Sequence, residues 1–341
     1  MKKIIVAIFM AGLLLTTVLS AVSANTFTAE HIEPISYNAA DKTGVERWAV
    51  IVGASGDIYG DYDAIDLNDT LVNHGWQADH IKLLIFPAYH DDRWYIEANK
   101  ENIINAIRWM ESKEDEDDIV LFFFSCHGGY KEIYVRWGTI TCEELNNELN
   151  NFESNSMVII FNSCFSGSMV SSPFVSSELM KEEQIEELYD NNVIGIDGTV
   201  EFMPALNAEN EQISVEESGL ESSGSDGLDK PGRVILMSSG RFEISWASYI
   251  LQNGIFSYFL IEGFEGKADD VNQDGWISAE EAFKYAKPRT TLFVRLKLIT
   301  FQHPRIYDGY KGELNIVSIS DQQNDPIQDQ NHCEDSQNNN Y

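Results

Sequence analysis

The chain is predicted to be an α/β protein, a three-layer α/β/α sandwich around a mostly parallel sheet of about six strands. Two observations lead there. Continuous apolar runs rich in β-branched and aromatic residues, such as Ile119–Phe124 and Met157–Phe161, have the character of strands buried on both faces. Helical apolar spacings separate these runs, and strand–helix alternation of this kind places helices on both faces of a parallel sheet.

The first segment stands outside the fold. Lys2 and Lys3 precede an apolar stretch from Ile4 to about Leu19, and Val22-Ser23-Ala24 offers small residues for cleavage. This is the layout of a secretory signal peptide over residues 1–24, too short in its apolar core for a full membrane span. No later stretch reaches spanning length. The expectation is a protein secreted or held at the extracellular surface, with no stable membrane insertion after cleavage.

A main domain is expected over residues 45–318. Trp48–Gly53 is a strand, followed by a polar loop through Asp57 and Gly60 and a helix from about Tyr62 to His74. Ile81–Phe86 is the next strand, and Asn99 to about Ser112 has helical spacing in Ile103, Ile104, Ile107 and Met110. After the strand ending at Phe124, Ile133-Tyr134-Val135 and Thr139-Ile140 suggest a hairpin. Thr141 with Glu144 forms a capping-box pattern at a helix start. The Met157–Phe161 strand follows. Residues 178–230 break the rhythm with fifteen acids against two bases. They are expected to form an exposed acidic insertion, a candidate for self-processing. The sheet resumes at Val234–Met237, a helix runs from about Ile255 to Phe264, and a last strand is expected at Leu314–Val317. Residues 319–341 are Gln-, Asn- and Asp-rich and are expected to be a disordered tail.

Charge and cysteine content narrow the function. The formal charge is -32 over 341 residues, with 43% hydrophobic content. So acidic a surface repels phosphate backbones, which excludes nucleic acid as a natural partner. Four cysteines, at 126, 142, 164 and 333, are too few for a disulfide framework in a chain of this length. Cys142 and Cys333 could still form a bridge. An unpaired thiol outside the cytosol calls for a reason, and catalysis is one.

Two strands end in reactive side chains. Ile119–Phe124 runs into Ser125-Cys126-His127-Gly128-Gly129, and Met157–Phe161 runs into Asn162-Ser163-Cys164-Phe165-Ser166-Gly167-Ser168. In open α/β sheets, chemistry gathers at the carboxyl ends of strands. If these strands are neighbours, an imidazole and a thiol share one edge, as a cysteine nucleophile and its base require. The small residues around Cys164 allow a carbonyl to approach, and Gly128-Gly129 supplies unhindered amides for an oxyanion.

These motifs resemble the caspase-like cysteine peptidases: legumains, caspases, metacaspases and gingipain- and clostripain-type enzymes. His-Gly closes one strand and Cys-x-Ser-Gly closes the next. The legumain run Cys-Glu-Ser-Gly-Ser-Met is similar to Cys164-Phe165-Ser166-Gly167-Ser168-Met169. The resemblance covers roughly Arg47 to Ile316. It includes Gly254–Leu260 and Gln302-His303-Pro304, which are similar to segments of secreted prokaryotic members. It implies Cys164 as nucleophile, His127 as general acid/base, the amides of Gly128 and Cys164 as oxyanion donors, and a peptide or protein substrate. Departures from the family pattern bear on specificity. The caspase Gln-Ala-Cys-x-Gly is absent, and Asn162 stands where metacaspases carry an acid. Phe165 replaces legumain's pocket acid, Tyr62 takes the place of its pocket arginine, and Cys126 that of the Asp before its histidine. Asp61, Tyr62, Asp63, Phe165, Ser238 and Ser239 are expected to bind substrate, with Asp61 and Asp63 favouring a basic P1 side chain.

Asp270–Glu281 fits the twelve-residue EF-hand loop. Asp270, Asn272, Asp274, Ser278, the Trp276 carbonyl and Glu281 supply the hard oxygens that Ca²⁺ needs, and Gly275 provides the turn. The sequence thus predicts a secreted cysteine endopeptidase with a structural or regulatory Ca²⁺ site. Two alternatives stay open: a transpeptidase using the same dyad, and a catalytically inactive calcium-binding extracellular module.

Overall fold

A computed structural model describes residues 44–171, 227–268, 272, 274–298 and 300–319. The predicted leader, most of the acidic insertion, Asp270 and the polar tail beyond Ile319 lie outside the described residues.

The central sheet has seven strands: β1 (Arg47–Gly53), β2 (Ile81–Ile85), β3 (Ile96–Glu97), β4 (Ile119–Ser125), β5 (Met157–Asn162), β6 (Arg233–Met237) and β7 (Arg305–Asp308). Their spatial order is β7-β6-β5-β4-β1-β2-β3, and every neighbouring pair is parallel except β6 with β7. The helices are α1 (Gly60–Asn73), α2 (Lys100–Glu111), α3 (Cys142–Leu149), α4 (Ile255–Glu262) and α5 (Ala279–Leu298).

Alternation along the strands explains the layers. Ala49, Ile51, Leu121, Phe123, Val158, Ile160, Val234 and Leu236 face one core with Leu67 and Leu71 of α1, Phe256 and Phe259 of α4 and Ala282 of α5. Trp48, Val50, Phe122, Phe124, Ile159, Phe161 and Ile235 face the other, against Ile103, Ile107 and Met110 of α2 and Leu145 and Leu149 of α3. Both sheet faces are therefore covered, so the strand text is continuously apolar. Each fully buried phenylalanine contributes roughly 2–3 kcal/mol.

Local signals behave as their chemistry dictates. Thr141 and Glu144 form the reciprocal capping box at the start of α3. Asn99 caps α2 by accepting the Asn102 N–H at 2.9 Å.

The structure also departs from the sequence reading. The sheet has seven strands, because Ile96–Glu97 adds a parallel edge and Arg305–Asp308 an antiparallel one to five of the expected strands. The expected strand near Leu314–Val317 is Asn315–Ser318, and it pairs outside the sheet with Trp276–Ser278. The helix α5 runs through Pro288 to Leu298. Next to the hydrogen bond that proline deletes, the Arg289 guanidinium donates to the Tyr285 carbonyl at 2.9 Å. The close of the expected insertion belongs to the core, since Leu228 is buried and its N–H donates to the Met169 carbonyl at 2.9 Å. Among the described residues, no helix is long and apolar enough to cross a membrane.

Candidate active site

β4 and β5 are adjacent and parallel, and the last residue pair in their register is Ser125 with Asn162. His127 and Cys164 each lie two residues beyond that pair, so one sheet rim presents both. The Cys126 N–H donates to the Asn162 carbonyl at 3.3 Å and holds the two chain ends together past the ladder. Gly128 lies so close to the nucleophile turn that a Cβ there would fall 2.6 Å from the Cys164 carbonyl oxygen. Only glycine permits this approach.

The turn bearing Cys164 is held from below. Phe165 adopts φ 58°, a left-handed conformation that a non-glycine residue keeps only when its surroundings enforce it. Its N–H donates to the Glu243 carbonyl at 2.8 Å, and the Gly167 N–H to the Ser239 carbonyl at 3.0 Å. Ser238 and Ser239, expected at the substrate, are fully buried. Their hydroxyls both donate to the Ser163 carbonyl, at 3.2 and 3.1 Å, and the Ser238 hydroxyl accepts the Ser163 N–H. They shape the nucleophile turn.

The Cys164 sulfur is 1% exposed and packs with Ile58, Ala247 and the half-buried Tyr59, Phe165 and Ile244. It lies 3.8 Å from the Ser245 carbonyl. Burial pushes this thiol up, against the opposing influence of its backbone contacts. In this closed arrangement desolvation is the largest influence on the thiol.

His127 is 8% exposed. Its Nε2 lies 3.5 Å from Asp57 Oδ2, while Nδ1 is buried and makes no hydrogen bond among the described residues. The Ser55 hydroxyl donates to the other Asp57 oxygen. Burial alone would raise the Asp57 carboxyl, but the Ser55 hydroxyl and His127 outweigh it and hold the group below its usual range. Asp57 is a site residue that the sequence reading passed over as part of a polar loop.

The three expected pocket residues at the start of α1 diverge. Asp61 is buried against His90, with Nε2 3.2 Å from Oδ2, and Tyr62 packs its ring edgewise on His90. Burial raises the Asp61 carboxyl, although His90 pulls the other way. Asp63 is fully buried at the floor of the rim. It accepts the Ser125 hydroxyl at 2.6 Å, the Asn162 amide at 2.9 Å and the Gly254 N–H at 3.0 Å. Burial raises its carboxyl to about 7, and hydrogen bonds from Ser125, Asn253 and Gly254 oppose the rise.

A carboxyl raised on folding binds its proton more tightly in the folded state. Its stabilising contribution is complete below the ordinary value of 3.8 and is lost as pH climbs to about 7. Asp63→Asn removes this titration. Urea unfolding at pH 4, 5.5 and 7 should show the variant gaining on wild type by about 2–4 kcal/mol across that range. A difference that stays constant with pH would mean Asp63 titrates as an ordinary carboxyl.

The expected calcium loop is described in part. Gly275 has φ +83°. The Asp274 N–H donates to Asn272 Oδ1 and the Trp276 N–H to Asp274 Oδ1, each at 2.9 Å, so both side chains bend onto the loop's own backbone. Ser278 and Glu281 cap the start of α5: the Ser278 N–H donates to Glu281 Oε2 at 3.0 Å and the Glu281 N–H to Ser278 Oγ at 3.1 Å. Ile277 pairs with Val317 across a short ladder. The donor set is all oxygen and the turn is the one Gly275 permits, so the described residues fit a hard divalent cation.

Comparison with known proteins gives three results. A family model described as the caspase domain matches residues 46–288. A crystal structure of protein GSU0716 from Geobacter sulfurreducens is 14% identical, covers 78% of this chain and 94% of its own, and superposes with a TM-score of 0.43. No curated protein matches.

Proposed function

Because the chain belongs to the caspase-domain family, we propose that it is an exported cysteine endopeptidase that cleaves peptide bonds through Cys164 and His127. The observation that carries this reading is the strand register, which leaves an imidazole and a thiol equally far beyond the Ser125–Asn162 pair. Cys164 Sγ attacks the scissile carbonyl carbon while its proton passes to His127, and the amides of Gly128 and Cys164 hold the developing oxyanion. Collapse breaks the C–N bond, and His127 protonates the departing amine. Water, deprotonated by His127, then attacks the thioester, releases the acid and restores the thiol. Since the sulfur rests beneath Ile244 and Ala247, substrate binding must part these side chains from it.

A basic P1 side chain suits the acidic floor. Asp63 already satisfies three donors, whereas Asp61 Oδ1 is buried and makes no hydrogen bond among the described residues. A positional-scanning peptide library run on wild type and Cys164→Ala tests activity and P1 preference together. Equal turnover by both proteins would end the reading.

Asp270, Asn272, Asp274, the Trp276 carbonyl, Ser278 and Glu281 would hold Ca²⁺, which supplies the charge that gathers these oxygens and fixes the start of α5. At a free Ca²⁺ concentration near 100 times Kd, binding adds about 2.7 kcal/mol. Calcium should therefore raise the thermal midpoint of wild type by several degrees, while Glu281→Gln should lose most of that increment. Identical melting of wild type in calcium and in chelator would remove the metal from the account.

A further inference from the structure

We propose that Asp57 is the positioning residue of the catalytic histidine, so that the site works as an Asp57–His127–Cys164 relay; this rests on the peptidase reading above. The carboxylate faces Nε2 at 3.5 Å, and the opposite ring nitrogen, Nδ1, is buried without a hydrogen bond. A neutral imidazole carries one proton, and a carboxylate beside one nitrogen draws the proton there. Asp57 thus keeps the proton on Nε2 and leaves the Nδ1 lone pair for the thiol. When Nδ1 takes the thiol proton, the ring becomes cationic and the same carboxylate stabilises it.

The placement is built by the fold. The Ala54 N–H donates to the Ser125 carbonyl at 3.0 Å, which ties the loop after β1 to the strand that carries His127. Ser55 is buried and its hydroxyl orients the Asp57 carboxylate from the far side. Other ionisable groups near this rim among the described residues include Cys126, Cys164 and Tyr134, whose N–H donates to the His127 carbonyl at 3.1 Å. Burial pushes Cys126 up to about 12, so it stays neutral over the working range, and Cys164 is the reacting group itself. Among the described residues, Asp57 is the carboxylate that pairs with this imidazole. Its side chain is 75% exposed. Solvent screening therefore keeps its contribution below that of the base it serves.

The test compares full-length wild type, Asp57→Asn, Asp57→Glu, His127→Ala and Cys164→Ala on one peptide substrate, recording kcat and KM from pH 5 to 9. Asp57→Asn should lower kcat about 10- to 100-fold, short of the 10²–10⁴-fold typical for loss of a general base, with KM nearly unchanged. Asp57→Glu should restore most of the rate. An Asp57→Glu enzyme no faster than Asp57→Asn, or an Asp57→Asn kcat within about twofold of wild type, with Cys164→Ala inactive, overturns the inference and leaves the peptidase reading intact. Full activity of Cys164→Ala overturns both.

Discussion

Cys164→Ala is expected to abolish peptide-bond cleavage, with kcat reduced at least about 10⁴-fold, while the protein stays folded. The sulfur is the atom that forms the acyl bond, and among the described residues no other thiol can take its place. Cys126 precedes His127 on the neighbouring strand and packs into the opposite core, with its thiol raised to about 12 by burial. Cys142 is buried at the start of α3, where its Sγ contacts the Met169 carbonyl at 3.4 Å. The stability cost of the variant should be small, about 1 kcal/mol, because removing one sulfur atom leaves a shallow gap among Ile58, Ile244 and Ala247. His127→Ala should cost about 10²–10⁴-fold, and the double variant should be no worse than Cys164→Ala alone, since the two groups act as a unit. Additive losses would show that the imidazole and the thiol work independently. A Cys164→Ala protein with more than a trace of wild-type turnover would place the chemistry elsewhere.

The parts of the molecule legible in the sequence are those whose physics is local. The strands β1, β4, β5 and β6 are buried on both faces, so each appears as an uninterrupted apolar run. The capping box at Thr141 is a three-residue pattern with one structural meaning. The two reactive strand ends could be found because each stands directly after such a run. What escaped the sequence depends on distant partners. The edge strand Arg305–Asp308 is short and half-buried, and its alternation is too brief to separate from a loop. Pro288 signals a helix end, yet α5 continues because its buried face, including Phe293 and Val294, packs on the core. Asp57 has no motif around it. Its role depends on β1 lying beside β4, where Gly53 is in register with Ser125. An acid four residues past the end of β1 was the available signal, and it gains meaning only once that register is known. The serines at 238 and 239 show the converse. They are expected at the substrate, and in the structure their hydroxyls donate to the Ser163 carbonyl in the turn after β5, a contact that no local pattern announces.

Gln302→Leu should produce the largest loss of stability among single changes outside the two main cores. Gln302 is 0% exposed and reaches from the segment after α5 into the wall beside the nucleophile. Its Oε1 accepts the Trp246 N–H at 2.9 Å, and its Nε2 donates to the Ser238 carbonyl at 2.9 Å and to the Ser245 hydroxyl at 3.2 Å. One amide therefore fixes both ends of residues 238–246, the segment whose Ser245 carbonyl faces Cys164 Sγ. The adjoining His303 holds the middle of that segment, with Nδ1 2.7 Å from Glu243 Oε1 and its N–H 2.9 Å from Oε2. Burial would raise the Glu243 carboxyl, but these bonds and the Gly240 N–H keep it below its usual range. Leucine matches glutamine in bulk and lacks all of its polar contacts. The Trp246 N–H and the Ser238 carbonyl would each lose the bond that Gln302 makes, at about 1–3 kcal/mol each, a total of roughly 2–6 kcal/mol. For a domain of this size that lowers the thermal midpoint by about 10 °C. Activity should fall as well, because the wall that presents the Ser245 carbonyl loses its anchor. Gln302→Glu distinguishes anchoring from mere space-filling: one oxygen can still accept from Trp246, while the other is forced against the Ser238 carbonyl. It should therefore destabilise the protein although its shape is unchanged. If urea unfolding places both variants within about 0.5 kcal/mol of wild type, the amide does not hold the wall, and the link from α5 to the reactive rim must run through Glu243 and His303 alone.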